Sequence, residues 1–531
     1  MSKRIYIIAF LFLGFLQISY AQLVDDIPRY NQENYAVTAR SAAMGGAFGA
    51  LGGDLSSVLI NPAGIAVFQS NEISLTTGVF NSTTANTNYG GQNAEIDGSY
   101  INMPNFGFVG VIPNRRGSSG LVNFNWGITF NRTQDFERTS YARLDNTTSS
   151  RSQAYATEAT RNNLQFDDLR FYTDDNGYKV NPYYGKAPVN SVLAFQGYLM
   201  SLKKENGNPI PGTWESPILD DETVDQEVTR VTNGYINNYS LSLGGNIDHK
   251  LYFGVSVDLK YYRYEEERRH REFGNNNDID FFEHREYTSS DAFGYALNLG
   301  LIYRPFSFLR LGAAIHTPTY YNVNEKYSAS MSSAVFYDGF NESVDREKSP
   351  IYEADFKVQT PMRYDLSAAF VFGKVFILSA DYEYQDYGSS RYKVDGNNKD
   401  NFDFTNTNQD VSKIYDGVHN LRVGVEGRIQ QNFYLRAGGQ YFSSPYKAYV
   451  DGIETLDGGA QISSDDVHYI LAGGLGYRNN NFFIDVAYTY DYQENNYYQY
   501  IEQFNNYYME SPKTQTQWTK HTLLVSLGLK F

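Results

Sequence analysis

The sequence predicts an all-β protein, a transmembrane antiparallel β-barrel of about fourteen strands with an N-terminal plug inside its lumen. Three observations predict it. The chain beyond its leader has no apolar run of the length a membrane helix needs, roughly 18 residues or more, yet it is rich in Tyr (47) and Phe (35), as aromatic girdles at both membrane interfaces require. Apolar residues alternate with polar or small ones in stretch after stretch, the period of a strand with one apolar face. The connections between these stretches alternate between short and long, as barrels with tight turns on one side of the membrane and long loops on the other demand. A soluble β-sandwich has no reason for that alternation.

The first residues read as an export signal over 1–21. Lys3 and Arg4 form the basic region, Ile5 to Leu16 the apolar region, and Ser19-Tyr20-Ala21 a small-x-small cleavage site before Gln22. There is no Cys in the chain, so neither a disulfide framework nor a thiolate metal site exists. The net charge is −16, and removal of Lys3 and Arg4 takes it to −18, which opposes nucleic-acid binding. The mean hydropathy of −0.48 excludes a helical membrane protein but not a barrel, where only every second residue faces lipid.

The predicted plug covers residues 22–70 and the barrel 71–531. Ser41 to Asp54 is dense in Gly and Ala and suits neither a surface helix nor a strand. Small residues let backbone approach backbone closely. Asn61-Pro62-Ala63-Gly64 is turn chemistry. Asn61, Pro62, Ala63 and Gly64, with Met44 and Phe48, are the candidate gating residues. The alternative is a tight loop-helix-loop of an ordinary soluble domain.

The strands follow in order. Ile73, Leu75, Thr77 and Val79 alternate in the first, and Phe106, Phe108, Gly110 and Ile112 in the second. After a turn at Asn114 to Gly120, the third sets Val122, Phe124, Trp126, Ile128 and Phe130 against Asn123, Asn125, Gly127, Thr129 and Asn131. A long insert is expected from Thr133 to Gly234, on the extracellular side. It carries one predicted helix, Asn190 to Lys204, with Asn190 as N-cap and Phe195, Leu199 and Leu202 near one face. Loops this long are functional or disordered, so the insert reads either as a lid or as a solvated loop.

Strand pairs then repeat around short turns at Asp248-His249-Lys250, Arg304 to Ser307, Gly373-Lys374, Gln430-Gln431 and Asn479 to Asn481. Glu265 to Glu272 reads as a charged loop. The last strand carries Leu523, Val525, Leu527, Leu529 and Phe531. An amphipathic strand ending on Phe is similar to the sorting signal of outer-membrane barrels.

The Gly-rich stretch with Asn61-Pro62-Ala63-Gly64 resembles the FadL/TodX family of outer-membrane transporters for long-chain fatty acids and other hydrophobic compounds. Further matches are Leu309-Arg310-Leu311-Gly312-Ala313-Ala314, Thr360-Pro361, and Leu378-Ser379-Ala380-Asp381-Tyr382-Glu383-Tyr384. The resemblance implies a fourteen-stranded barrel in the outer membrane of a Gram-negative cell. It implies capture of an apolar molecule by the outer loops, movement of the plug, and diffusive passage out sideways, without a cofactor. The strand that kinks to open the wall is left open by the sequence, with Gly127 as one candidate site. The insert is larger than the family usually carries, which leaves the substrate open, haem or porphyrin included.

If the apolar alternates face lipid, Lys260, Arg310, Arg363, Arg422 and Arg436 face the lumen with Asp258, Asp365, Asp381, Glu383, Glu426 and Asp485. Such charges satisfy one another and the plug, or one Arg anchors a substrate carboxylate. The candidate substrate-binding residues are therefore Arg310, Arg363, Arg422 and Arg436, with Phe195, Leu199 and Leu202 of the insert. The seven His show no metal-ligand spacing, and neither a nucleophile elbow nor a phosphate loop is present. No catalytic or metal residue is assigned. The acidic run Asp220 to Glu227 reads as a solvated loop, with a divalent ion against lipopolysaccharide as the alternative. Gly274 to Asp278 matches a calcium loop only superficially.

The leading functional expectation is a passive channel for hydrophobic small molecules in contact with outer-membrane lipid. The second is a structural barrel that anchors a secretion or surface-assembly partner at the insert. An outer-membrane protease or lipase is the third class, and a plug has no purpose in one.

Overall fold

The structure is a computed structural model that describes residues 26–88, 94–114, 120–175, 177–219, 222–275, 278–337, 340–373, 375–395, 403–447, 455–457, 466–504 and 507–531. The expected leader, residues 22–25 of the expected plug, most of the Asn114 to Gly120 turn, Asp220, Asp221, Asn276, Asn277 and Lys374 lie outside the described residues.

Fourteen antiparallel strands form the wall. They are β1 (Glu72–Asn88), β2 (Ala94–Pro113), β3 (Leu121–Asp135, continued by Arg138–Thr147), β4 (Val224–Ile247), β5 (Leu251–Gly274), β6 (Ile279–Phe306) and β7 (Leu309–His316, continued by Tyr320–Tyr337). The second half holds β8 (Tyr352–Gln359, continued by Arg363–Phe372), β9 (Phe376–Asp386, continued by Arg391–Val394), β10 (Gly417–Arg428), β11 (Phe433–Phe442), β12 (Val467–Arg478), β13 (Phe482–Tyr497) and β14 (Thr514–Lys530). Each pairs with its neighbours in sequence order, and β14 closes on β1 from Glu72↔Lys530 to Asn88↔Thr514. Closure leaves no unpaired sheet edge, the condition for a sheet in lipid. The outward alternates Leu241, Leu243, Phe253, Leu297, Leu299, Leu421, Leu475 and Leu527 are exposed and make an apolar belt.

On the long-loop side the strands outrun the membrane. A barrel strand needs about 9–11 residues to cross, whereas β4 and β5 have 24 each and β6 has 28. This corrects two expectations. Glu265 to Glu272 is strand, paired with both β4 and β6, not a loop. The insert is not irregular from Thr133 to Gly234, because β3 continues to Thr147 and β4 starts at Val224. Above the belt both faces of a strand meet water or protein, so the apolar alternation that marks a strand disappears while the ladder continues.

The described residues of 148–223 fold into an outer domain with its own core. Helix Arg151–Arg161 starts at a capping box of Ser150 and Gln153. Its Tyr155, Ala156 and Ala159 pack with Leu164, Leu169, Val192, Leu193, Leu199 and Trp214 against Phe282 of β6 and Met331 of β7. The expected Asn190 to Lys204 helix is shorter, Val189–Gln196, with Pro188 rather than Asn190 at its N-cap. It stops at Gly197 because Tyr198 turns left-handed (φ 57°). Phe195 packs edge-on to Trp214 with centroids 5.7 Å apart, Leu199 is buried, and Leu202 lies on strand Ser201–Glu205.

The N-terminal segment, residues 26–70, lies inside the wall. Its 3₁₀ helix Pro62–Val67 touches β3, β4, β5 and β6, and its helix Ala39–Ala43 touches β11, β12, β13 and β14 on the other side. Close approach requires glycine on the wall. A Cβ at Gly438 would meet the Met44 carbonyl carbon at 2.2 Å, and one at Gly254 would meet the Pro62 oxygen at 2.2 Å. Tyr30 of the segment packs with Tyr262, Tyr321, Tyr392, Phe356 and Phe404 in one buried aromatic cluster.

Candidate functional site

The wall is split between β2 and β3, and local sequence makes the split. The ladder joining them runs from Pro113↔Asn123 to Asn105↔Asn131 and ends there among the described residues. The next residue of β2 is Pro104, which has no N–H to give to a ladder. Opposite β1, Met103 and Pro104 together face Thr77 in a bulge, and bulges bend a strand away from its partner. On the other side, β3 has its own irregularity between Arg132 and Gln134 and breaks at Phe136 and Glu137. Phe136 turns inward and packs edge-on against Tyr262 and Tyr264. At the end of the ladder Asn105 donates Nδ2 to Asn131 Oδ1 (2.6 Å). Across the split itself Asn102 donates Nδ2 to Asp135 Oδ2 (2.8 Å). At Gly127, the candidate opening, β3 pairs regularly with Val109 and Ser242, so the wall there is continuous.

Two cavities lie behind the split. The larger, about 250 Å³, is lined by Phe136, Tyr264, Phe442, Ile470 and Trp518 among the apolar groups and by Arg29, His468 and Asp491 among the polar ones. The smaller, about 70 Å³, is lined by Val37 and Ala42 of the N-terminal segment, by Phe80 and Leu524, and by Asn102 and Pro104 at the split. Asp135, Ile470, Asp491 and Lys520 line both cavities. A lumen compartment thus borders both the N-terminal segment and the end of the β2–β3 ladder, beyond which the Arg138–Thr147 part of β3 stays beside β1 and β2.

The expected gating residues sit at the wall contacts of that segment. Asn61 accepts from Ala63 N (3.0 Å) and caps the 3₁₀ helix that Pro62, Ala63 and Gly64 begin. Its Nδ2 donates to Gly49 O (2.8 Å) and to Leu301 O of β6 (3.1 Å). Met44 lies over Gly424 and Gly438. Phe48 is fully buried under the Arg40 guanidinium, 5.1 Å from its ring centre.

The expected lumen charges are engaged with the wall and the segment. Arg310 Nη1 donates to Leu51 O (2.6 Å), and Arg363 Nη2 donates to Leu59 O (2.5 Å) and Nε to Asp365 (3.0 Å). Arg422 pairs with Glu383, and Lys260 with Glu33. Arg436 bridges Glu426 (2.6 Å) and Asp485 (2.7 Å), while Arg40 of the segment grips Glu426 through Nε (2.9 Å) and Nη2 (3.0 Å). Asp381 accepts from Gly49 N (2.7 Å), and Asp258 accepts from Ser240 Oγ (2.7 Å). Each of the four arginines therefore already spends donors on fixed partners. Phe195, Leu199 and Leu202 are in the outer domain and are not brought to this compartment.

The outer domain is tied to the wall by a second buried cluster. Tyr155 Oη is 2.7 Å from His284 Nδ1, and Arg151 N donates to Glu272 (2.7 Å). His270 Nε2 lies 2.8 Å from the same Glu272 oxygen. The outward face of β6 turns polar at Asp291, Ser289 and Arg285, with the exposed Tyr287 between them, so His284 stands roughly 23 Å along the strand beyond Asp291. Burial pushes its imidazole down to about 3, with Arg151, Arg268 and His270 adding to the effect and Glu286 opposing it. It is neutral at ordinary pH.

Comparison with solved structures follows this geometry. The toluene transporter TodX of Pseudomonas putida superposes with a TM-score of 0.51 at 14% identity, over 94% of this chain and 99% of that one. The chain has the TodX barrel fold. A FadL homologue of Pseudomonas aeruginosa superposes with a TM-score of 0.50 at 13% identity, over 93% and 98% of the two chains. A TodX variant described as a monoaromatic hydrocarbon channel gives 0.50 at 13% identity, over 94% and 100%. The family model that matches is BamG, over residues 218–414, from the end of the outer domain through β4 to the helix Thr405–Ile414 before β10. No curated protein matches the sequence.

Sequence reasoning missed the split, Asn102 and Asp135. The signal was present in Pro104, a proline inside an otherwise strand-like run.

Proposed function

We propose that the protein is a passive channel for hydrophobic small molecules, fatty-acid-like in character, in the outer membrane of a Gram-negative cell. The observation that carries the proposal is the wall split beside Pro104 with a lumen cavity opening toward it. A molecule that leaves through a wall split goes straight into lipid and never crosses water, which suits an apolar cargo. The apolar belt and the TodX fold support the location, and the transport of toluene by TodX supports the class of cargo. In this reading the outer loops take up the molecule. The N-terminal segment, a plug hinged near Asn61 to Gly64, then shifts at its Met44 and Phe48 contacts and lets it reach the split. No cofactor and no catalytic step is involved.

The test is mass spectrometry of small molecules extracted from gently purified protein. A reproducible apolar compound at near-stoichiometric level supports transport and names its cargo. Variants at Asn61 that change uptake at equal surface abundance, with the barrel still folded, support the plug's part. Unchanged uptake counts against it.

A second reading is a barrel that anchors a protein partner. One observation favours it. The outer domain is a folded unit, and its Phe166, Phe171, Tyr178 and Tyr184 are exposed well outside the belt. An empty barrel that co-purifies with stoichiometric partners would favour this reading over the first.

A further inference from the structure

We propose that the strap made of strands Tyr500–Phe504 and Tyr507–Glu510 is a gate on the outer side of the larger cavity, latched shut by the Tyr500 hydroxyl. The inference rests on the transport reading for what the gate admits, and it names the outer loop that does the admitting.

The strap joins the outer ends of β13 and β14. Its strands pair with each other and, through Tyr500 to Glu502, with Thr455–Asp457. This small sheet is separate from the barrel sheet, so it can move without breaking a ladder of the wall. Its legs are short, Tyr498 and Gln499 after β13 and Ser511 to Lys513 before β14. Gln499 N donates to Ser511 Oγ (2.7 Å), and Ser511 N donates to Tyr500 O (3.0 Å). The legs are thereby tied together, and the two strands move as one piece.

Successive side chains of a strand point to opposite faces, and the strap uses both. Tyr500 goes to the outer domain, where it is buried with Met509 against Ala154 of helix Arg151–Arg161. Ile501 goes to the buried aromatic cluster that holds Tyr262, Tyr321 and Tyr30 of the N-terminal segment. The strap therefore lies between the outer domain and that cluster. The Tyr500 hydroxyl accepts from Gln226 Nε2 of β4 (3.0 Å) and lies 3.1 Å from Ser149 Oγ. Its ring meets the His270 ring of β5 with centroids 6.1 Å apart.

These contacts carry the strap across the outer side of the cavity. Asn495 of β13, Thr516 of β14, Ser140 of β3 and Arg230 of β4 line the cavity. The latch joins points further out on the same strands. Tyr500 follows the end of β13, Ser149 follows the end of β3, and Gln226 precedes Arg230 on β4. Between the two anchorages the rim belongs to β1, β2 and β3, which include the strands beside the split. The outer domain is fastened to β6 and β7 by a core with Phe282 and Met331, and to Glu272 and His284 by Arg151 and Tyr155. The strap is fastened to the outer domain by Tyr500 and Met509 and by two neutral hydrogen bonds, which are about half as strong as charge-assisted ones. Of the two covers, the strap is the one that opens at the lower free energy.

The test uses the full chain in cells where it is the sole route, at equal surface abundance. The chain has no Cys, so Ser140→Cys places one thiol on the larger cavity. A membrane-impermeant maleimide added outside the cells reads how often the gate opens. Tyr500→Phe removes the hydroxyl and keeps the ring, and loss of its two hydrogen bonds corresponds to about a tenfold shift toward the open strap. Labelling is expected to speed up about tenfold, with heat-dependent mobility on gels unchanged. Labelling at the parent rate in a folded barrel overturns the proposal. A second measurement locks the strap, with Ala154→Cys and Met509→Cys joined by a short bifunctional thiol reagent that reductant cleaves. Palmitate uptake is expected to stop on cross-linking and to return on release. Uptake that continues through the locked strap overturns the proposal and leaves the transport reading standing. A parent that takes up no palmitate, while Tyr500→Phe still speeds labelling about tenfold, overturns the transport reading and leaves the gate standing.

Discussion

Gly438→Ala is the sharpest single perturbation of the contact between wall and N-terminal segment. The added Cβ would lie 2.2 Å from the Met44 carbonyl carbon and 2.4 Å from Gly45 N. Ordinary contact begins near 3.4 Å, so the segment must retreat by roughly 1.2 Å. Both obstructing atoms are backbone, and no rotamer change relieves them. Overpacking of this kind costs about 1–3 kcal/mol. The retreat also stretches the Gly49 N to Asp381 hydrogen bond at 2.7 Å and the Arg40–Glu426 pair at 2.9 Å, and a hydrogen bond to a charged group is worth about 1.5–3 kcal/mol. A combined loss of about 3 kcal/mol raises the population of the unseated segment roughly a hundredfold. The ladder of β11 does not involve the new methyl, so the barrel stays closed. The chain has no Cys, and Ser41 is fully buried in the segment, so Ser41→Cys is a clean reporter. Maleimide labelling of that thiol should speed up roughly a hundredfold when Gly438→Ala is added, with the heat-dependent gel shift unchanged. Labelling at the parent rate in a folded barrel would refute the account of close backbone packing.

Other perturbations have defined outcomes. Asp485 is fully buried between Arg436 at 2.7 Å and Arg478, so Asp485→Asn leaves cationic charge uncompensated. It should destabilise the barrel by about 3–5 kcal/mol, read as a lower temperature for the gel shift. Trp214 is buried in the outer domain and donates Nε1 to Leu164 O at 2.8 Å. Trp214→Ala should cost that domain about 3–5 kcal/mol, giving protease cleavage within residues 148–223 while the barrel stays folded. Burial holds the His284 imidazole down at about 3, well below its ordinary value of 6.5. The released form of the domain therefore binds a proton that the docked form refuses, and docking is fully stable above pH 6.5 and weakens as the pH falls from 6.5 toward 3. Protease sensitivity of the outer domain should rise over that window, and His284→Gln should flatten the rise.

The barrel was legible because lipid imposes a pattern on sequence. Wherever β3, β6 or β10 crosses the membrane, its outward residues must be apolar and its inward ones need not be, and Phe124, Trp126 and Ile128 or Leu297, Leu299 and Leu301 report it directly. The same reasoning failed just outside the belt. Arg263, Arg269, Arg271 and Arg285 belong to strands that are as regular as the crossing parts, but water on the outer face removes the alternation. The helix at Val189–Gln196 was seen and then overextended, since the apolar spacing of Leu199 and Leu202 persists past the left-handed Tyr198. The lumen charges were legible as a set but not as pairs, because cross-strand register decides which Arg meets which acid. Register also hid the split. Pro104 marks a place where a ladder fails, but only the bulge opposite Thr77 and the departure of β3 after Asn131 turn that failure into a gap.

The most direct measurement asks whether cargo leaves through that gap. Asn102 and Asp135 hydrogen-bond across it at 2.8 Å, and the chain is free of Cys, so Asn102→Cys with Asp135→Cys places two thiols on opposite lips. Uptake of a fatty-acid probe is measured with the thiols free, joined by a short bifunctional thiol reagent whose linker is cleavable by reductant, and released again. The account predicts that cross-linking abolishes uptake and that reductive release restores it, with the barrel folded throughout. Uptake that continues at the parent rate through a fully cross-linked wall would contradict a lateral route.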